Sequence, residues 1–280
     1  MTSQQVSPIE NEVLKQSAKQ SDGVNDDLSG LKVSLVIPVY NEESHLEQFL
    51  KVIDKLDLHI PKELVIVDDF SKDRSREILR AFPFESEVQL IEQPKNKGKG
   101  AAVRRGIDAA TGTFIGVQDA DFEYNPFEIQ TLLRPLIEDK ADIVFGSRFH
   151  ESGQVHRTYH YLVNRFLTML SNLSSGLYLT DMETCYKFFR AEIIKNLRLE
   201  SNRFGFEPEV TAKVARLKLR VMELPISYFP RNYMEGKKIT WKDGVAALRH
   251  ILFYNFFQKD KDCFDKSLPE HYWVGGRPWL

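Results

Sequence analysis

An α/β fold, a doubly wound and mostly parallel sheet flanked by helices in a single domain, is predicted by three observations. Short apolar runs alternate with amphipathic segments, turn residues punctuate the two, and charged residues collect just beyond the carboxyl ends of the apolar runs. Order begins at residues 33–38, read as a buried strand. Asn41 is placed as the cap of a helix whose Leu46, Phe49, Leu50 and Ile53 share one face, with Glu42 and Glu43 in the dipole-favoured first turn. A second strand over 64–67 ends in Asp68-Asp69, and Ser71 is placed as the cap of a helix through Ala81. Residues 88–91 read as a strand, 101–110 as a helix stopped at Gly112, and 114–118 as the fourth strand. A helix over 127–138 and a strand over 142–146 follow. Beyond Arg148 come a polar, aromatic loop to Tyr161, a one-sided apolar helix over 162–173 and a strand over 185–189. A helix over 207–217, an extended segment over 221–229 broken by Pro225, and a long amphipathic helix over 241–257 complete the reading. The segment after Lys259, charged and then aromatic, receives no structure from its sequence.

Composition bounds the function. With 280 residues, 42% of them apolar, the chain can bury a full core. A net charge of -2 gives no global pull toward nucleic acid, and no nucleic-acid partner is expected. Cys185 and Cys263 lack metal spacing and read as structural thiols of a reduced, cytoplasmic protein. Residues 1–30 are rich in Ser, Gln, Asn and Asp, lack the apolar core of a signal peptide, and read as a disordered head. No apolar run approaches the ~18 residues that span a bilayer, so membrane contact is expected to be peripheral at most. The expected division is a head over 1–30, a catalytic domain over 31–258 and an aromatic tail over 259–280.

The chemistry concentrates around the fourth strand, which runs into Asp119, Ala120 and Asp121, with Glu123 two positions on. In open α/β sheets ligands bind beyond the carboxyl ends of the strands. Acids packed this closely repel one another unless a cation lies between them, and hard oxygen ligands suit Mg²⁺ or Mn²⁺ shared with substrate phosphates. Taken alone, an Asp-x-Asp also fits a capped, solvated loop. Three other polar groups fall at the same edge: Tyr40-Asn41-Glu42, Asp68-Asp69, and the lysines from Lys95 to Lys99. The run Asn96-Lys97-Gly98-Lys99-Gly100 precedes a helix, so its amides and ammonium groups suit phosphate, although it matches neither a Walker loop nor a dinucleotide fingerprint.

In order along the chain, VSLVIPVYNEE (33–43), VDDFSKD (67–73), NKGKGAA (96–102) and QDAD (118–121) resemble the signature of family 2 glycosyltransferases of the GT-A fold. The likeness is to bacterial enzymes of the dolichyl-phosphate mannose synthase type, and it extends through Gly146-Ser147-Arg148, 181–190, 204–209 and 231–241. The resemblance implies that Pro38, Tyr40, Glu42 and Asp69 line a nucleotide pocket, and that Lys99, Ala120, Arg231 and Lys237 complete the nucleotide-sugar site. It implies that Asp119 and Asp121 hold Mg²⁺ or Mn²⁺ on the diphosphate, with Glu123 as a third ligand where related mannose synthases have Gln. Catalytic roles fall to Asp119, Asp121, Arg148, Asp181 and Glu209; metal, Arg and Lys would stabilise the charge developing on a nucleoside diphosphate leaving group.

The implied reaction is metal-dependent, inverting transfer of a hexose from a GDP- or UDP-sugar to a polyprenyl phosphate at the cytoplasmic membrane face. A phosphate acceptor is already anionic near neutrality and needs no base. A hydroxyl acceptor, on a glycan or glycolipid, does need one, and Asp181, Glu207 and Glu209 are the candidates. Glu207 and Glu209 also fit plain first-turn acids around Pro208. A third reading is a nucleotide-sugar-binding protein without turnover, against which the intact acidic cluster argues. His150, His156 and His160 share one loop without a carboxylate at ligand spacing, and read as solvent-exposed.

Overall fold

The computed structural model describes residues 28–149, 158–230, 241–265 and 267–273. Residues 1–27 of the expected head, Arg231, Lys237 and Lys238, the loop residues His150, His156 and Arg157, and Trp279 lie outside the described residues, as do the side chains of His160 and Lys242. From Leu31 on, the described residues form one compact unit.

Seven strands form one sheet. In chain order they are β1 (Val33–Val39), β2 (Lys62–Asp68), β3 (Glu87–Glu92), β4 (Phe114–Val117), β5 (Ile143–Ser147), β6 (Lys187–Arg190) and β7 (Val221–Pro225). Their spatial order is β3-β2-β1-β4-β6-β5-β7, parallel throughout except for β6, which runs antiparallel to both β4 and β5. Buried branched residues such as Val36, Ile37, Val65, Ile66 and Val144 make β1, β2 and β5 near-continuous apolar runs, as a sheet covered on both faces requires. The β6 insertion needs close contact: a Cβ on Gly116 of β4 would lie 2.1 Å from the Phe188 ring, so only glycine allows Phe188 of β6 to pack there.

The helices are α1 (Leu46–Lys55), α2 (Ser75–Ala81), α3 (Lys99–Ala109), α4 (Ile129–Ile137), α5 (Thr158–Ser175), α6 (Ala191–Ile194), α7 (Phe206–Val214) and α8 (Trp241–Leu252). A π turn over Phe253–Phe257 continues α8. The strand alternation, the one-sided apolar helices and the α/β class stand as the sequence predicts; the short α6 does not follow from it.

Two expected caps are different devices. Neither Asn41 nor Ser71 caps its helix: α1 begins after His45 and α2 after Arg74. Instead the loops after β1 and β2 cap each other. Asn41 N–H donates to Ser71 Oγ at 3.0 Å, and Lys72 N–H donates to Asn41 Oδ1 at 2.8 Å. Glu42 N–H donates to Ser75 Oγ at 2.9 Å, Glu43 N–H to Asp73 Oδ2 at 3.0 Å, and Arg74 N–H to Glu43 Oε2 at 3.0 Å. The segment after Lys259, which received no structure from its sequence, is described in part. Over its described residues it packs on the same body, through Arg198 N–H to Cys263 O at 2.9 Å, Lys218 N–H to Tyr272 O at 2.8 Å and Arg216 Nη1 to Asp260 Oδ1 at 2.6 Å.

Candidate active site

The edge formed by the carboxyl ends of β1, β2, β4 and β5 carries the chemistry-bearing residues. Non-glycine residues in left-handed conformation mark three of its turns: Asn41 (φ 52°) after β1, Phe70 (φ 66°) after β2 and Phe122 (φ 54°) after β4. Such backbone is costly for side-chain-bearing residues and persists where surrounding bonds hold it.

After β4 the backbone of Asp119 is fixed by Gln118 Nε2, which donates to Asp119 O at 2.7 Å, while Gln118 Oε1 accepts from the Tyr186 hydroxyl. The Asp119 carboxylate accepts from Lys99 Nζ at 2.9 Å, and the same ammonium lies 3.4 Å from Glu207 Oε1. Burial lowers the proton affinity of Lys99, but Asp119 and then Cys185 and Glu207 outweigh it, and the lysine stays charged, well above its ordinary range. Burial, and then Asp119, pushes the Cys185 thiol up, so it is an inert protonated neighbour. Asp121 Oδ1 accepts from Glu123 N–H at 3.1 Å, and Glu123 Oε2 accepts from the Tyr228 hydroxyl at 3.1 Å.

These bonds test the metal expectation. Among the described residues no three His, Cys, Asp or Glu side chains converge as a ready metal cage. Mg²⁺ and Mn²⁺ seldom need one: one or two carboxylates plus phosphate oxygens suffice, and Asp119 and Asp121 supply that hard oxygen set. The residues therefore fit such an ion in company with a diphosphate.

The nucleotide-side residues lie at the neighbouring strand ends. Pro38 and Tyr40 are partly exposed at the end of β1, and Glu42 is buried. Asp69, expected to line the nucleotide pocket, also holds the loop beside it. Its carboxylate accepts from Lys97 N–H at 2.8 Å, Gly98 N–H at 2.7 Å and Gln93 Nε2 at 2.8 Å, clamping the lysine-glycine loop. Burial, only partly offset by these amides, raises its pKa. The expectation that the amides of this loop cradle phosphate is corrected. Those of Lys97 and Gly98 serve Asp69, and those of Gly100 and Ala101 donate to Arg203 O at 3.2 Å and Asn202 O at 3.1 Å. What the loop presents to the site is Lys99.

At the end of β5, Arg148 and Asp181 are brought together. Arg148 Nε donates to Asp181 Oδ2 at 2.6 Å and Nη2 to Oδ1 at 2.7 Å, while Arg148 N–H adds a third bond to Oδ2 at 3.0 Å. Both side chains are buried. The guanidinium also lies 5.0 Å from the Tyr228 ring centre, a cation–π distance. Through these three bonds Asp181 positions Arg148. Glu209, the other catalytic candidate, is buried and accepts from Lys213 Nζ at 2.6 Å, Glu200 N–H at 2.7 Å and Ser201 N–H at 2.8 Å. Glu207, weighed as a base or as a first-turn acid, is the α7 carboxylate that reaches the site, through Lys99.

A mostly parallel sheet with one antiparallel strand, carrying carboxylates and a paired lysine beyond β4 and a buried arginine beyond β5, has the architecture of the GT-A fold. The model of glycosyl transferase family 2 matches residues 34–198, and the chain belongs to that family, whose members are glycosyltransferases. A dolichol-phosphate mannosyltransferase of Pyrococcus furiosus is 31% identical over 225 residues, which cover 79% of this chain and 63% of the relative. A dolichyl-phosphate beta-glucosyltransferase of Trichomonas vaginalis is 30% identical over 246 residues, 79% of this chain and 73% of the relative. A dodecaprenyl-phosphate galacturonate synthase of Rhizobium johnstonii is 28% identical over 225 residues, 77% of this chain and 64% of the relative. The chain thus spans under two thirds of the Pyrococcus and Rhizobium relatives. Among solved structures, glucosyl-3-phosphoglycerate synthase from Mycobacterium tuberculosis with Mn²⁺, uridine diphosphate and phosphoglyceric acid superposes with a TM-score of 0.63 at 19% identity, covering 82% of this chain and 81% of that one. The same enzyme with Mg²⁺ and uridine diphosphate gives a TM-score of 0.60 at 20% identity, covering 82% of each chain. At these identities the likeness speaks for the fold.

Proposed function

We propose that this chain transfers a hexose from a nucleoside diphosphate sugar to a polyprenyl phosphate, with inversion and with Mg²⁺ or Mn²⁺, at the cytoplasmic face of a membrane. The observation that carries the reading is the Asp119–Lys99–Glu207 cluster beyond β4, in a chain whose curated relatives are named for dolichyl- and dodecaprenyl-phosphate chemistry. A divalent ion held by Asp119 and Asp121 would neutralise charge on the leaving diphosphate. Lys99 adds a fixed cation beside them, Asp69 sets the loop that delivers Lys99, and Arg148 supplies a second buried cation held in place by Asp181. With Asp181 and Glu209 engaged by donors and Glu207 paired with the Lys99 ammonium, each expected base already has a partner, which suits an acceptor that arrives already ionised.

The acceptor reading draws further support from α5. Leu162, Phe166, Met169 and Leu173, at helical spacing on one face, are all half or more exposed. The helix is also tied to the loop that carries Asp181: Arg165 Nη1 donates to Thr180 O at 3.0 Å, and Met182 N–H to Thr168 Oγ1 at 3.1 Å. An apolar face bonded to the active-site loop suits a lipid-borne substrate.

The test is a screen of UDP- and GDP-hexoses with Mn²⁺ or Mg²⁺ against a polyprenyl phosphate and against soluble hydroxyl acceptors, with products read by mass. A glycosylated polyprenyl phosphate is expected. Product on hydroxyl acceptors alone overturns the acceptor assignment, and binding without transfer or donor hydrolysis makes the chain a binding protein.

A further inference from the structure

Glu183 is absent from the roles assigned so far, yet its surroundings are unusual. It lies in the segment 181–186 that leads into β6, and β6 pairs antiparallel with β4, Gly116 facing Phe188. The Tyr186 hydroxyl carries that neighbourhood past the ladder by donating to Gln118 Oε1, and the Cys185 thiol lies near enough to Asp119 to feel its charge. Glu183, two residues before Cys185, therefore flanks the segment bearing Asp119 and Asp121.

The segment is held firmly. The fully buried Lys187 ammonium donates to Met182 O at 2.9 Å and Thr184 O at 2.6 Å, one bond on each side of Glu183. Cys185 N–H donates to the Tyr124 hydroxyl at 3.2 Å, and Asp181 N–H to Glu223 Oε1 at 3.0 Å. The backbone on both sides is pinned, while Glu183 Oε1, like the neighbouring Thr184 Oγ1, is out of reach of solvent and has no hydrogen-bond partner. Among the described residues it is the single buried carboxylate oxygen in that condition. Folding alone does not retain such an atom, since an unsatisfied buried acceptor costs stability. An oxygen kept dry, rigid and unpartnered beside a substrate site is poised for a substrate group.

We propose that Glu183 contacts the transferred sugar, its carboxyl exchanging hydrogen bonds with a hydroxyl of the hexose, and so selects which hexose the site accepts. This rests on the donor reading above. A carboxyl group that gives one hydrogen bond and takes another is only half matched by a phosphate, which at neutral pH chiefly accepts, whereas a sugar hydroxyl both gives and takes a hydrogen bond. Burial, and then Glu207 across from it on α7, pushes the Glu183 carboxyl up to about 8 against the pull of Lys187 and Arg148, with Asp181 adding to the rise. In that state it has a proton to donate and a second oxygen to accept with. Hydroxyl-reading polar groups discriminate strongly, because the wrong epimer leaves them unpaired.

The experiment compares the unsubstituted chain with E183Q and E183A by calorimetric titration, with Mn²⁺ present, of bare UDP and GDP and of a panel of UDP- and GDP-hexoses. Bare nucleotide should bind all three proteins equally. E183A should bind the preferred nucleotide sugar about tenfold or more weakly, with its preference among epimers flattened, and E183Q, which still has one donor and one acceptor, should fall between. The melting temperature of E183Q should hold or rise, since a merely structural glutamate would lower it. Equal sugar binding and unchanged epimer preference in E183A overturn the assignment. A collapse of turnover with sugar binding intact also overturns it and makes Glu183 a base. If the unsubstituted chain binds bare nucleotide but gains nothing from any attached hexose, the sugar contact is overturned while the nucleotide site stands. If it binds neither, the donor reading falls and takes this assignment with it.

Discussion

At the scale of single residues, the structure changes what a mutation at Arg148 would report. A surface arginine on phosphate would lose only activity when removed. Here removal strands the Asp181 carboxylate, which is fully buried, so Arg148→Ala should cost about 3–5 kcal/mol of stability along with activity. Lysine cannot reproduce the two parallel bonds to Asp181, so Arg148→Lys should recover little. The double change Arg148→Leu with Asp181→Leu should regain much of the stability and none of the turnover, as read by denaturant melts beside transfer assays. Stability of the single variant equal to the parent would show that the pair is dispensable for folding. Glu63 gives a pH prediction of a different kind. Burial opposes its ionisation, but bonds from Ser34, Thr111 and Lys32 prevail and bring it down from 4.5 to about 2. A lowered folded-state pKa favours the native state above the unfolded value and loses that advantage as pH falls. About 3.5 kcal/mol at most, by ~1.4 kcal/mol per unit, should therefore drain away between about pH 4.5 and 2. Glu63→Gln should be less stable at neutral pH and lose less on acidification; parallel acid curves for the two proteins would refute this.

At the scale of elements, Gly98 shows how far sequence reading reached. The lysine-glycine run is legible as a polar stretch before a helix, with Lys99 expected in the nucleotide-sugar site. The reason for the glycine was hidden, because it depends on residues more than a hundred positions away. Gly98 has a φ of 93°, and a Cβ there would lie 2.4 Å from Asn202 O. Gly98→Ala should cost more than about 1 kcal/mol, because alanine at positive φ meets a backbone atom that cannot step aside. It should also release Lys99 from Asp119, visible as a weaker metal-dependent nucleotide affinity; an unchanged melting point and affinity would contradict the close packing. The same limit explains Asn41 and Ser71. Each is a good cap by local rules, but the two loops meet across neighbouring strands, and bonds between loops replaced bonds within helices. Strands and apolar helix faces were legible because their period is local. Glu183 and Glu207 were less legible, since an acid beside a buried strand or at a helix start carries no local mark of what faces it. The one available hint was a charged residue set between Met182 and Thr184, immediately before an apolar run.

At the scale of the whole molecule, the apolar exposure is gathered on particular helices. Beside the α5 stripe, Val245, Leu252, Phe253 and Phe256 are exposed at positions that share one side of α8 and its π-turn extension, with Phe257 next to them. The α5 and α8 helices pack against each other, and each carries an exposed arginine within its stripe, Arg165 and Arg249. No helix among the described residues is long and apolar enough to cross a membrane. Amphipathic surfaces of this kind bind at the headgroup boundary through buried apolar area, and each basic residue near an anionic surface adds about 1 kcal/mol. Because α5 is bonded to the loop of Asp181, seating this face on a bilayer would bring the active-site edge within reach of a lipid phosphate. The expected outcome in flotation with anionic liposomes is co-migration at low salt and partial release at high salt, as screening removes the arginine contribution. Phe166→Glu with Leu173→Glu should abolish co-migration without lowering the melting temperature, since both side chains are already mostly exposed. The same variant should lose transfer to polyprenyl phosphate in vesicles while keeping nucleotide affinity. If the parent chain stays at the bottom at every ionic strength, the lipid acceptor loses this support and a soluble hydroxyl acceptor takes its place.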